Sequence, residues 1–144
     1  MKNLFSLSIL LFSVCILSAQ GNGHLGLWKT IDDETKEAKS YVEMYEKGGK
    51  LYGKITRLLL MPADMVCDKC KGDKYNKPVV GMVIIDGLSR EEGVWSGASI
   101  LDPKTGKFYD CTLWVSEDNK DQLRVKGKHW SGLSRTQTWY RISE

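Results

Sequence analysis

Leu25-Gly26-Leu27-Trp28-Lys29-Thr30-Ile31 near the start of the chain and Trp139-Tyr140-Arg141 near its end decide the fold. Each belongs to a short run of residues that favour extended backbone, Leu25–Ile31 and Ser134–Ile142. Six more such runs lie between them: Ser40–Glu46, Lys50–Leu60, Val79–Ile85, Val94–Leu101, Lys107–Val115 and Gln122–Lys128. Several alternate cleanly, with Val42 and Met44 against Tyr41, Glu43 and Tyr45, or Leu123 and Val125 against Arg124 and Lys126. A period of two buries one face of a strand and wets the other. The gaps hold Lys47-Gly48-Gly49, Asp86-Gly87, Asp102-Pro103-Lys104-Thr105-Gly106 and Ser116-Glu117-Asp118-Asn119. Gly, Asn and Asp there supply the backbone freedom of tight hairpins. No helical period persists, so the chain reads as all-β.

Gly53, Gly81, Gly97 and Gly127 fall inside otherwise good strands. Such glycines mark bulges and bends where a sheet coils onto itself. Coiling to closure also removes both exposed edges. The expectation is therefore an eight-stranded antiparallel up-and-down barrel in preference to a sandwich. In that topology the first strand begins and the eighth ends at one rim, side by side. Trp28 and Arg141 then meet there, guanidinium over indole, a contact worth roughly 0.5–2 kcal/mol. The pair closes that end and is structural. Loops 32–39, 61–78, 102–106 and 129–133 fall at the other rim, which becomes the open mouth. The longest, Met61–Pro78, reads as a lid over it, with a merely decorative insertion as the alternative.

Lys2, the apolar stretch Leu4 to Leu17 and then Ser18-Ala19-Gln20 have the order of a secretory signal peptide. Residues 1–19 are assigned to it, with cleavage after Ala19, and residues 20–144 to a single barrel domain. A lipoprotein site at Cys15 is disfavoured, because Val14 stands where that processing wants a small residue. Loss of Lys2 leaves 20 basic against 18 acidic residues, interspersed along the chain. No block of charge would track a phosphate backbone, so a nucleic-acid partner is not expected. With the signal removed no stable membrane span is expected, and the destination is periplasmic or secreted.

The exported chain keeps Cys67, Cys70 and Cys111, an odd number for an oxidising compartment. Cys67-Asp68-Lys69-Cys70 is first read as a local disulfide. A bridge from one of the two to Cys111, a metal site recruiting Cys111 with His24 or His129, and a thiol-redox pair stay open. Cys111 shares a strand face with Tyr109, Leu113 and Val115 and reads as a core thiol. His24 follows Gly21-Asn22-Gly23 and is expected in an unstructured segment, while His129 and Trp130 lie at the mouth. The acidic run Asp32-Asp33-Glu34 reads as a solvated turn. No nucleophile elbow, phosphate loop or dinucleotide fingerprint occurs, and nothing calls for a cofactor or metal. Catalysis is the minority reading.

Gly26-x-Trp28 with a terminal Arg141 resembles the lipocalin and calycin pattern, in which a first-strand Trp packs on a last-strand Arg. A wider set spans nearly all of residues 25–142. It comprises Gly26-x-Trp28-Lys29-Thr30, Leu51-Tyr52-Gly53-Lys54-Ile55 and Cys67-x-x-Cys70-x-Gly72, then Asp102-Pro103-x-x-Gly106-x-x-Tyr109 and Arg135-Thr136-Gln137-x-Trp139-x-Arg141. That set resembles a bacterial exported family known as domain of unknown function 2147. The resemblance implies a lipocalin-like barrel outside the cytoplasm and no established activity.

An eight-stranded barrel is either filled by its own side chains or holds one small ligand. With Trp28 inward, Val42, Met44, Leu51, Ile55, Tyr109, Leu113, Leu123, Val125 and Trp139 face in as well. Binding of a small apolar or amphipathic ligand is the main functional reading, with Met44, Ile55, Tyr109, Leu123 and Trp139 as candidate contacts. The alternatives are a solid barrel serving as a protein-interaction module in the envelope, through outer residues such as Trp95 or Trp114, and the Cys67/Cys70 redox protein.

Overall fold

The structure, a computed structural model, describes residues 21–143; the segment assigned to a signal peptide, 1–19, lies outside them. Eight strands follow in chain order: β1 (Gly26–Ile31), β2 (Ala38–Lys47), β3 (Lys50–Leu58), β4 (Val83–Glu91), β5 (Val94–Asp102), β6 (Lys107–Val115), β7 (Gln122–Lys128) and β8 (Ser134–Arg141). Each pairs antiparallel with the next, and β8 returns to β1, so the sheet closes as an up-and-down barrel. Closure is brief. Only Trp28↔Arg141 and Lys29↔Tyr140 are in register across the seam, with Ile142 N–H donating to the Leu27 carbonyl at 2.9 Å.

The alternation read from the sequence sets the inside. Val42 and Met44 of β2, Leu113 of β6, Leu123 and Val125 of β7 and Trp139 of β8 are all buried. Two of the interior glycines act as expected of a coiling sheet. Gly97, at φ 86°, is the extra residue between the pairs Trp95↔Leu113 and Ala98↔Cys111, a bulge in β5. Gly53 leaves room where a Cβ would stand 3.0 Å from Met44 Sδ and 3.2 Å from Ile85 Cδ1.

The fourth strand departs from the sequence reading. It runs Val83–Glu91 and not Val79–Ile85, so Gly81 precedes it. Asp86-Gly87 is not a hairpin turn. Leu51 pairs with Leu88 and Tyr52 with Asp86, so Gly87, at φ 83°, is again a bulge inside the strand. The turn falls at Glu92-Gly93, where both residues have positive φ (50° and 82°), the geometry a two-residue hairpin requires. An Asp-Gly or Glu-Gly step whose glycine has positive φ serves a bulge or a turn alike, and ladder register alone decides which.

Trp95 is likewise not an outer-face residue: it is buried inside the barrel, while Trp114 is half-buried. Its inward neighbour is His24, whose ring centroid lies 4.8 Å away. His24 is therefore no part of an unstructured tail. It is 2 % exposed, Nε2 donates to Glu46 Oε1 at 2.7 Å, and its carbonyl accepts from Trp28 Nε1 at 3.1 Å. The Gly-rich segment lets the backbone fold back across the barrel end, a tertiary contact no local signal records.

Candidate functional site

Trp28 is wholly buried at that end, and the Arg141 guanidinium lies 4.3 Å from its ring centroid. Arg141 also donates to the carbonyls of Leu25 (2.9 Å) and Gly23, and its Nε pairs with Asp121 at 3.2 Å. The two terminal guanidinium nitrogens of Arg141 thus tie the N-terminal segment down over the barrel end while Nε holds the β6–β7 turn, leaving the opposite rim as the place for a site.

At that rim lies a cavity of about 630 Å³. Its floor is apolar, from Ile55, Ile100, Tyr109, Val125 and Trp139 on the barrel wall. Leu58 at the end of β3, with Met61, Met65 and Val79 from the segment joining β3 to β4, completes one side. Around the opening stand Asp32, Asp33 and Glu34, Lys39, Asp102, Lys104, Lys107, His129 and Arg135. Of the candidate contacts read from the sequence, Ile55, Tyr109 and Trp139 line this cavity. Met44 and Leu123 also face inward but sit nearer the closed end, in the packed layer beneath its floor, 2 % and 0 % exposed.

The joining segment is shaped rather than loose. Cys67 and Cys70 form a disulfide, Val66 bridges to Pro78, and Gly72–Lys74 makes one 3₁₀ turn. Gly81 N–H donates to the Ile55 carbonyl at 2.7 Å and Ile55 N–H to that of Met82 at 3.0 Å, which fixes the segment to the wall. Both cysteines are buried, Cys67 completely. Thiol–disulfide exchange requires access to a sulfur, so this bond acts as a staple for the segment.

Polar residues that sequence reading passed over complete one wall. Thr30 and Ser40, both buried, share a 2.7 Å hydroxyl hydrogen bond. Trp139 Nε1 donates to Gln137 Oε1 at 3.1 Å, and Gln137 Nε2 donates to Asp33 Oδ2 at 2.7 Å. Arg135 donates to the same oxygen at 3.2 Å. Asp33 and Gln137 are 104 positions apart and meet only because β8 closes on β1. Asp32 serves its own turn: the Thr35 N–H bonded to its carboxylate holds it below the usual carboxylate range.

Cys111 is a free, buried cysteine, and burial pushes its thiol from 9.0 up to about 12. Only a thiolate attacks, so Cys111 is expected to stay unlabelled by an alkylating reagent in the native state and to react on unfolding. The unfolded thiol ionises near 9 while the native one keeps its proton to about 12. Its stabilising contribution is therefore full below pH 9 and lost as pH rises toward 12. Denaturant unfolding across that window should show a shallower alkaline loss for Cys111→Ala; an unchanged slope would refute the assignment.

A model of the family DUF2147, described as an uncharacterized protein conserved in bacteria, matches residues 26–141. No curated protein matches the chain. A solved structure titled as protein HP1028 from the human pathogen Helicobacter pylori, belonging to the lipocalin family, is similar in fold. Its TM-score is 0.71 at 19 % identity over 83 % of each chain.

Proposed function

The chain belongs to the bacterial family DUF2147, and from that premise and its barrel we propose that it is an exported binding protein for one small amphipathic ligand. The observation that carries this reading is the mouth cavity. Its volume, about 630 Å³, lies within the range of small-molecule pockets, roughly 300–1,000 Å³. An apolar floor set beneath a charged opening suits a molecule with an apolar body and a polar head. The lipocalin-like neighbour supports the fold in which such pockets occur. Export is supported by Lys2, the Leu4–Leu17 stretch and Ser18-Ala19, and by a disulfide, a bond that persists in oxidising compartments.

Ile100→Trp tests the reading. Ile100 is half-buried on the cavity wall, so an indole can turn into the empty volume with little overpacking. A fluorescent long-chain fatty-acid analogue should bind the wild-type protein and bind Ile100→Trp at least about tenfold more weakly, a change of about 1.4 kcal/mol. Thermal unfolding should be nearly unmoved. Equal binding by a folded variant would remove the cavity as the site. The same enlargement at Leu123 is expected to destabilise the barrel instead, because that side chain is fully enclosed.

A further inference from the structure

We infer that the β5–β8 side of the barrel mouth docks on the surface of an anionic phospholipid bilayer. The turn between β7 and β8 places Trp130 90 % and Leu133 77 % in solvent. It does so rigidly. His129 N–H donates to the Leu133 carbonyl at 2.8 Å, Gly132 N–H to that of His129 at 2.9 Å, and the His129 ring contacts Ser131 Oγ at 2.8 Å. Phe108, at the mouth end of β6, is 57 % exposed, and Leu60, Met61 and Val66 across the opening are about two-fifths exposed. Displaying these side chains contributes nothing to the barrel's own core, and a tryptophan at a rigid tip is the residue that settles at the headgroup level of a bilayer.

Charge on this side completes the match. Among the described residues Lys104, Lys107 and Lys128 form no ion pair. Two carboxylates at this rim are engaged elsewhere. Asp102 bonds Thr105 and its own turn and faces Lys39 at 3.9 Å, and Asp33 holds Arg135 and Gln137. Asp110 stands opposite Lys128 in the ladder without pairing with it. Glu34 and Glu37 lie on the β1–β2 loop, so an anionic surface is met by a tilted barrel, β5–β8 edge first. A bilayer accommodates such a broken ring of apolar tips and lysines around an open cavity, where a rigid protein partner would leave the opening uncovered.

The inference is separate from ligand binding in the cavity, and the test keeps them apart. Sedimentation with vesicles of phosphatidylglycerol and phosphatidylcholine is compared with phosphatidylcholine alone. The comparison is made between wild type and variants sharing the same N-terminus, so that any binding by the apolar Leu4–Leu17 stretch cancels. Wild type should partition to the mixed vesicles. Trp130→Ser with Leu133→Ser should lose at least about tenfold, and Lys104, Lys107 and Lys128 changed together to Gln on the order of a hundredfold. Brominated lipid should quench the wild-type fluorescence and spare that of Trp130→Ser. Trp130→Ser and Lys128→Gln, each made alone, should weaken vesicle binding yet still bind the fatty-acid analogue, since neither residue lines the cavity, whereas Leu133, Lys104 and Lys107 do. Equal partitioning of wild type and variants, or no preference for the anionic vesicles, would overturn the docking surface. Capture of a protein by wild type with no vesicle binding would overturn it too, assigning the rim to a protein partner.

Discussion

Trp28→Ala is expected to cost about 3–5 kcal/mol of stability, the range for removing a large enclosed aromatic side chain. The side chain is 0 % exposed and does three things at once. Its indole fills the closed end, its Nε1 satisfies the His24 carbonyl, and its face receives the Arg141 guanidinium at 4.3 Å. The site cannot collapse around the loss, because the surrounding ladder is closed. The seam between β1 and β8 has two residue pairs, one of them Trp28↔Arg141 itself. Arg141→Ala should cost less, since Asp121 is an exposed partner and the freed carbonyls of Gly23 and Leu25 can recover water. Urea denaturation of both single variants and the double variant measures their coupling. A double variant no worse than Trp28→Ala shows that Arg141 acts through the tryptophan, and strictly additive losses would refute the coupling. Cavity binding, at the far rim, should survive in whatever fraction remains folded.

Gly106→Ala should produce a second large loss, and one that reaches the site. Gly106 sits in the β5–β6 turn at φ 70°, where a non-glycine residue costs about 1–2 kcal/mol from the backbone alone. A Cβ there would stand 2.0 Å from the Lys69 carbonyl oxygen and 3.1 Å from the Cys70 amide nitrogen. These are backbone atoms of a disulfide-closed turn, so they cannot swing aside as a flexible side chain would. The β3–β4 segment must lift as a unit, carrying Met65 and Val79 away from the cavity. The expected outcome is faster proteolysis within residues 59–82 and weaker binding of the fatty-acid analogue. Gly48→Ala is the control: its φ is also positive, at 59°, but no atom lies near its Cβ position. If the two variants behave alike, the effect is backbone strain only, and the segment does not rest on Gly106.

Several parts of this molecule were legible without coordinates because they are local. The Lys107–Val115 and Gln122–Lys128 boundaries follow from alternation and flanking turn residues, and they agree with β6 and β7 residue for residue. The β4 boundary did not, because Asp86-Gly87 fits a bulge as well as a turn. Of the cavity wall, Ile55, Tyr109 and Trp139 were readable from strand phase. Met44 and Leu123 share that phase, yet alternation says which side of a sheet a residue faces and nothing of its depth along the barrel axis. His24 and Trp95 were misplaced for a related reason: what covers a barrel end is a segment distant in sequence.

By itself, then, the sequence determined the class, the strand number and their order round the barrel. Those depend on period-two burial and on turn chemistry, which act between neighbours in the chain. The tertiary structure alone decided that the mouth holds a cavity and that Asp33 meets Gln137 across 104 residues. It alone decided that the Lys69 backbone lies on Gly106 and that Trp130 stands in solvent. Each of these depends on how far a closed sheet tilts and how a joining segment folds back over its rim. They are sums of contacts between remote residues, and no local pattern encodes them.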